Sequence, residues 1–192
     1  MKGRFYVLEG IDGSGKSVQA AMLADRLRSM GRDVLLTSEP RGSALGVAVH
    51  KLIEKNRYLP VTEALLYIAA RNQHISDVIR PALERGSDVV CDRFFYSTLA
   101  YQGSKMLSPA MAYDIQRVAM IYIKPDKTFL LDVDVGTCKR RILARGGSVT
   151  EEELSRLRDV RNVYGFMNDP EITRIDAYGT PEETFTKILA AL

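Results

Sequence analysis

The chain has 192 residues, 46% of them hydrophobic and 27% charged, which suits one soluble domain with a real core. A formal net charge of +3 does not demand nucleic acid as a partner, and no apolar run approaches the ~18 residues of a membrane span. Cys91 and Cys138 lack metal-ligand spacing, and the start of the chain passes into a strand without a secretory leader, so a reduced, cytoplasmic setting is expected.

Residues 4–9 read as a buried strand, and the loop after it organises the chain. Gly10-Ile11-Asp12-Gly13-Ser14-Gly15-Lys16-Ser17 fits the phosphate-loop pattern G-x-x-x-x-G-K-S/T between a strand and a helix. The three glycines free the backbone, so that several N–H groups can converge on phosphate oxygens. The next helix, 16–30, adds the positive end of its dipole. Lys16 suits the β- and γ-phosphates of a nucleoside triphosphate, and the Ser17 hydroxyl suits Mg2+. Ala20, Leu23, Ala24 and Leu27 form the apolar stripe of that helix, and Gly31 stops it.

Asp33–Thr37 is a second short strand, so strand, helix and strand imply a right-handed crossover and a parallel sheet. Ser38 to Ser43 is a loop beyond that strand's carboxyl end, where ligands sit in open α/β sheets. Its Glu39–Arg41 pair suits a substrate contact and equally suits solvated loop charges. A helix over 44–55 precedes one long helix, or two abutting ones, over 62–85, with Pro81 as a bend. Tyr67 and Arg71 lie four apart on one face and could meet one ligand; a partly buried Tyr beside a solvated Arg is the ordinary outcome.

Asp88–Cys91 is the third strand, ending in Asp92-Arg93. An acid there, beside a phosphate loop, suits a Mg2+ ligand, and Arg93 suits a phosphate clamp; a structural ion pair is the bland alternative. The segment Phe94 to Gly103 is aromatic but carries Ser97, Thr98 and Gln102, suited to reading a base or sugar. A helix from Ser108 to about Ile123, a strand over 128–133 and a helix over 136–145 come next. Lys139, Arg140 and Arg141 lie on this last helix, and Gly146-Gly147 suggests a mobile loop. Thr150 and Glu153 form a capping box for a helix to about Met167, whose Arg156, Arg158 and Arg161 read as solvated charges. A strand over 172–176 and a helix capped by Thr180-Pro181 close the chain. Five strands alternating with helices predict a doubly wound α/β fold with a five-stranded parallel sheet, as one domain over 1–192.

A phosphate loop alone serves an ATPase, a GTPase or a kinase. No N-K-x-D-type segment is present to read guanine. The second set of groups, Glu39, Arg41, Tyr67, Arg71, Arg93, Thr98 and Tyr101, combines aromatics, arginines and hydroxyls suited to a nucleoside monophosphate. A small kinase moving the ATP γ-phosphoryl group to a nucleotide is the natural reading.

The phosphate loop with Glu9 ahead and Gln19 after resembles that of thymidylate kinases. So do Glu39-Pro40, Leu65 through Arg71, Gln73-His74 and Pro81-Ala82-Leu83 with Gly86. Asp92-Arg93-Phe94 followed by Ser97 through Gly103 is the most specific match. Leu131-Asp132-Val133, Arg145-Gly146 and Ile175-Asp176-Ala177 continue it over nearly the whole chain. The resemblance implies a P-loop nucleoside monophosphate kinase fold with a short lid near 140–152. It also implies ATP- and Mg2+-dependent conversion of dTMP to dTDP, supplying dTTP for DNA synthesis, by a homodimer. In that family Tyr67's position stacks on thymine, Arg71's donates to a base carbonyl and Thr98's lies near the base edge. Tyr101's aromatic disfavours a 2′-hydroxyl, and Gln102 belongs to the same substrate segment. Arg93 would hold the acceptor phosphate, Asp12 would position acceptor or metal, and Glu39 would lie near the acceptor.

The chain departs from the family at several points. Ser14 is not basic, so the resemblance moves a catalytic arginine to the lid, with Arg140, Arg141 and Arg145 as candidates. Arg141 and Arg145 are expected at the ATP site, Arg145 on adenine or phosphate. The lid lacks the common Asp-Arg pair, and Arg41 and Ser43 replace the commoner Gly and Thr. The rival readings are a kinase for another (deoxy)nucleoside monophosphate or a deoxynucleoside, and a non-catalytic nucleotide-binding module. A nucleic-acid binder is a weak third.

Overall fold

Strands β1 (Phe5–Glu9), β2 (Val34–Ser38), β3 (Asp88–Asp92), β4 (Lys127–Asp132) and β5 (Ile172–Asp176) pair in parallel as one sheet, in the order β2-β3-β1-β4-β5. The computed structural model describes residues 2–105, 113–114, 117 and 123–192. The helix expected from Ser108 to about Ile123 falls largely outside the described residues. All five expected strands are present, and the doubly wound α/β fold is as the sequence predicts.

Helices flank the sheet and explain its composition. β1 is buried along its whole length, and β3 and β4 along nearly all of theirs, because helices cover both faces; their sequences are accordingly continuous apolar runs. Edge strands β2 and β5 are only partly buried. β1 lies between β3 and β4, where the winding direction reverses, so its carboxyl end opens onto the crevice at the switch point.

Helix α1 (Lys16–Ser29) packs Ala20, Leu23, Ala24 and Leu27 into the core at the spacing of one helical face. Gly31 ends it at φ 80°, with Gly31 N–H donating to the Arg28 carbonyl and Arg32 N–H to that of Leu27. Helix α2 (Ala44–Lys55) starts on Ser43, which accepts from Gly46 N–H. The expected long helix over 62–85 is α3 (Pro60–His74), a widened turn (Ile75–Ile79) and α4 (Arg80–Glu84) in direct succession. Arg80 N–H reaches back five residues to the Ile75 carbonyl. The cause is Pro81, whose ring crowds the carbonyl four residues earlier and which has no N–H to give; a widened turn absorbs both effects.

Helix α5 (Phe95–Tyr101) comes after β3. Helix α6 (Val135–Ala144) starts on Asp134, and α7 (Glu151–Gly165) and α8 (Pro181–Ala190) each start on a complete capping box, Thr150 with Glu153 and Thr180 with Glu183. Residues 140–152 therefore comprise the end of α6, a turn with Gly146 at φ 78°, and the start of α7. Helix α7 is seated by Leu154, Leu157, Val160 and Tyr164. Both cysteines are free thiols buried in the core. No helix among the described residues is long and apolar enough to cross a membrane.

Candidate active site

The phosphate loop is shaped by two local constraints. Gly13 stands at φ 86°, and a Cβ there would come within 2.8 Å of the Cys138 carbonyl oxygen, so α6 packs directly under the loop. Gly15, at φ 102°, turns the chain into α1. Lys16 Nζ donates to the Ile11 carbonyl at 2.9 Å and is buried. Burial foremost, then the Arg93 guanidinium, push its ammonium down to about 8, against Asp12, Asp92 and Glu9.

Ser17 and Asp92 come together as the motif reading expects. Ser17 Oγ donates to Asp92 Oδ2 at 2.5 Å, while Asp92 Oδ1 is buried with no hydrogen-bond partner among the described residues. A hydroxyl beside a carboxylate with one unused oxygen suits a small hard cation such as Mg2+. No group of three or more His, Cys, Asp or Glu that could hold a metal occurs among the described residues. Mg2+ commonly takes one or two protein oxygens and completes its shell with water and substrate phosphates.

Arg93 occupies the corner between loop and cleft. It sits at φ 70°, a left-handed conformation unusual for a side chain with a Cβ. Its Nη2 donates to Asp12 Oδ1 at 2.5 Å and to the Tyr101 hydroxyl at 3.3 Å, and its Nη1 to Ser97 Oγ at 3.1 Å. The guanidinium carbon lies 5.0 Å from the Tyr101 ring centroid. Burial opposes this charge, but Tyr101 and Asp12 outweigh it and hold Arg93 protonated. Asp12 accepts from Tyr101 through Oδ2 at 3.0 Å. Burial raises the Asp12 carboxyl, yet Arg93 first, then Lys16, Tyr101 and Arg156, hold it below the ordinary range.

The turn carrying Arg93 is held from beneath by Glu9, at the end of β1. Glu9 Oε1 accepts from the Phe94 and Ser97 N–H groups at 2.9 and 3.0 Å, and Oε2 accepts from Ser97 Oγ and the Tyr164 hydroxyl at 2.6 and 2.8 Å. Glu9 is fully buried, and its bonds to Phe94 N–H and the Tyr164 hydroxyl are buried while those to Ser97 are partly so.

A cleft of about 420 Å³ opens beside this corner. Asp12, Glu39, Arg93 and Tyr101 line it with Tyr67, Arg71, Thr98 and Gln102, so most of the expected substrate residues are brought together. Arg71 is no solvated helix charge: it is only 3% exposed. Its Nε donates to Glu39 Oε2 at 2.6 Å, and its Nη2 to the Phe94 carbonyl at 2.8 Å and Thr98 Oγ1 at 3.0 Å. His74 adds a contact to Glu39 Oε1 at 3.3 Å and bridges to Thr37 Oγ1 at 2.9 Å. Glu39 N–H is tied to the Asp92 carbonyl, which fixes the loop after β2 against the end of β3.

Three expected residues lie outside this cleft, one of them, Arg141, against the phosphate loop. Arg41 is exposed on the rim, with Nη2 2.6 Å from His50 Nε2 and 4.0 Å from Glu54, and does not line the cleft. Arg141 is spent on backbone carbonyls, those of Ser14 at 3.3 Å, Ala177 at 2.8 Å and Gly179 at 2.9 Å. It thereby ties α6 to the phosphate loop and to the turn after β5. Arg145 caps α6 in an exposed position outside the cleft.

Three residues escape the sequence reading. Glu9 is legible by the same logic as Asp92, as an acid closing an apolar strand. His74 stands out only as part of a family motif. Arg156 lines the cleft, although its helix carries no sign beyond ordinary surface charge.

A second cavity, of about 450 Å³, lies on the other side of Gly10 and Ile11, against β4 and α7. Its two arginines are committed, Arg161 to Asp132 and Arg174 to the carbonyls at the end of α7.

A phosphate loop at the switch point, an adjoining Ser17–Asp92 pair and a cleft built of arginines and aromatics define a P-loop phosphotransferase of the nucleoside monophosphate kinase type. The family model described as thymidylate kinase matches residues 8–188. A thymidylate kinase of Thermomicrobium roseum is 44% identical over 188 residues, covering 93% of this chain and 89% of its own. A probable thymidylate kinase of Pyrococcus abyssi is 40% identical, covering 99% and 96%. A thymidylate kinase of Pelobacter propionicus is 38% identical, covering 98% and 93%. The chain belongs to the thymidylate kinase family.

Proposed function

We propose that this chain, as a single kinase domain over 1–192, transfers the γ-phosphoryl group of ATP to dTMP, releasing ADP and dTDP. The observation that supports this best is the Asp12–Arg93 pair. It joins the phosphate loop to the cleft, so one arginine stands between a donor triphosphate and an acceptor phosphate.

An oxygen of the dTMP phosphate attacks the γ-phosphorus, and the bond to the ADP oxygen breaks. The protein's part is positioning and charge neutralisation. Gly10 through Ser17 hold the donor phosphates through backbone N–H groups. Lys16 exchanges its bond to the Ile11 carbonyl for the β- and γ-phosphates. Arg93 holds the acceptor phosphate near the γ-phosphoryl group, oriented by Asp12, Ser97 and Tyr101. Ser17 and Asp92 would hold Mg2+, which supplies further neutralisation of the phosphates. Tyr67 stacks on thymine, Arg71 and Thr98 serve the base edge with Gln102 beside them, and Tyr101 lies under the deoxyribose. Glu39 acts by holding Arg71 in place. The 140–152 segment serves as the lid that excludes water, with Arg145 on the ATP side. Homodimerisation and a cytoplasmic location belong to the same reading, and sedimentation tests the first.

Coupled ADP release with a panel of nucleoside monophosphates and deoxynucleosides tests the assignment. dTMP is expected among the best acceptors. ATP binding without acceptor-dependent ADP release would instead make the chain a nucleotide-binding module.

Arg71→Ala tests the base-reading role. The expected result is a dTMP KM raised by roughly tenfold or more, the scale of a lost charge-assisted hydrogen bond, with a smaller change in kcat. An unchanged KM in a folded variant would remove Arg71 from recognition.

A further inference from the structure

The cations around the cleft differ in what they are already bonded to. Arg93 is committed to Asp12, Arg71 to Glu39 and Lys105 to Glu63, each within 3.0 Å. In each case a carboxylate offsets the positive charge. Lys16 is bonded to a carbonyl rather than to an acid. Arg156 alone among these side chains lines the cleft with neither a hydrogen bond nor an ion pair to a described residue.

The position of Arg156 is set by its helix. Leu154, Leu157, Val160 and Tyr164 seat α7 in the core, and the Tyr164 hydroxyl bonds to Glu9 beneath the Arg93 turn. The capping box at Thr150 secures the first turn. Arg156 therefore projects from a well-anchored helix, and its charge acts on Asp12, Tyr67 and Glu153 without an ion pair to any of them.

The other arginines near the lid are less suitable. Arg140 donates to Thr137, Arg141 is used up on carbonyls, and Arg145 stands outside the cleft. Two phosphate groups must meet in this cleft, and most of its positive charge is already balanced by carboxylates. An uncommitted guanidinium is the group best placed to supply the missing charge, because its planar fork can bind two phosphoryl oxygens at once.

Resting on the dTMP kinase reading above, we propose that Arg156 is a further catalytic residue, contacting the phosphoryl group as it passes from donor to acceptor. It remains protonated throughout and forms no covalent bond. Its contribution is greatest in the transition state, so it acts on kcat more than on KM.

The test compares Arg156→Ala, Arg156→Lys and Arg158→Ala, with wild type assayed first on ATP and dTMP. Arg158→Ala removes the same charge from the same helix outside the cleft and should leave turnover unchanged. Arg156→Ala is expected to lower kcat by about 100-fold, with a much smaller change in either KM and no change in melting temperature. Arg156→Lys should fall between it and wild type, and added guanidinium should restore part of the turnover of Arg156→Ala. A kcat loss under roughly tenfold, whatever happens to KM, overturns the proposal. So does a loss that guanidinium fails to relieve, since that places the effect in the helix. Wild type without dTMP-dependent turnover defeats the kinase reading and this inference together, whereas active wild type with active Arg156→Ala defeats the inference alone.

Discussion

Arg93→Ala should lower kcat by about 100-fold or more while leaving ATP binding largely intact. Arg93 is the side chain that touches both halves of the site: Asp12 of the phosphate loop on one side, Ser97 and Tyr101 of the cleft on the other. Its removal takes away the cation between two approaching phosphates and the main partner of Asp12. The acceptor phosphate then meets the γ-phosphoryl group with less of their repulsion cancelled. Arg93→Lys keeps the charge but loses the fork that serves Asp12, Ser97 and Tyr101 together, so it should recover only part of the loss. Steady-state kinetics with a melting curve as control decide the matter. Turnover close to wild type in a folded Arg93→Ala variant would take Arg93 out of the mechanism.

Glu9→Ala should be the most damaging single change to stability near the site, costing about 3 kcal/mol or more. It strips the acceptor from two backbone N–H groups, buried Phe94 and partly buried Ser97, and from the hydroxyls of Ser97 and Tyr164. In a domain of this size such a loss lowers Tm by about 6–12 °C. Because those donors belong to the turn carrying Arg93 and to the helix carrying Arg156, kcat should fall as well. Glu9→Gln separates shape from charge. Its amide oxygen can keep both backbone donors, and the two hydroxyls can rotate to accept from its nitrogen. It should therefore cost about 1 kcal/mol. Equal melting temperatures for Glu9→Ala and wild type would sink this account of the turn.

The contrast between Asp92 and Glu9 shows where sequence reading works. Both acids close buried strands, so both positions were legible. Only the fold shows that Asp92 keeps an oxygen unused beside Ser17 while all of Glu9 is taken up by a neighbouring turn. Arg71 makes the complementary point. Helical spacing placed it beside Tyr67, but its burial depends on Glu39, thirty-two positions away in sequence. Arg41, in the same loop as Glu39, turned outward to His50. No local pattern distinguishes these two outcomes, because the deciding partners come from other elements.

The sequence alone determined the elements, the parallel α/β fold and the phosphate loop. Apolar periodicity, glycine positions and capping residues act within a few residues of themselves, and the loop's chemistry is carried by eight consecutive positions. Tertiary structure alone decided which charges are committed and which are available. Arg141, Arg145 and Arg156 are all arginines of basic or mixed helical segments in the sequence. In the fold one is spent on carbonyls, one stands outside the cleft, and one lines it with neither a hydrogen bond nor an ion pair to a described residue. The physical reason is that the worth of a charge depends on its burial and on the groups within hydrogen-bonding distance, and packing between distant elements sets both.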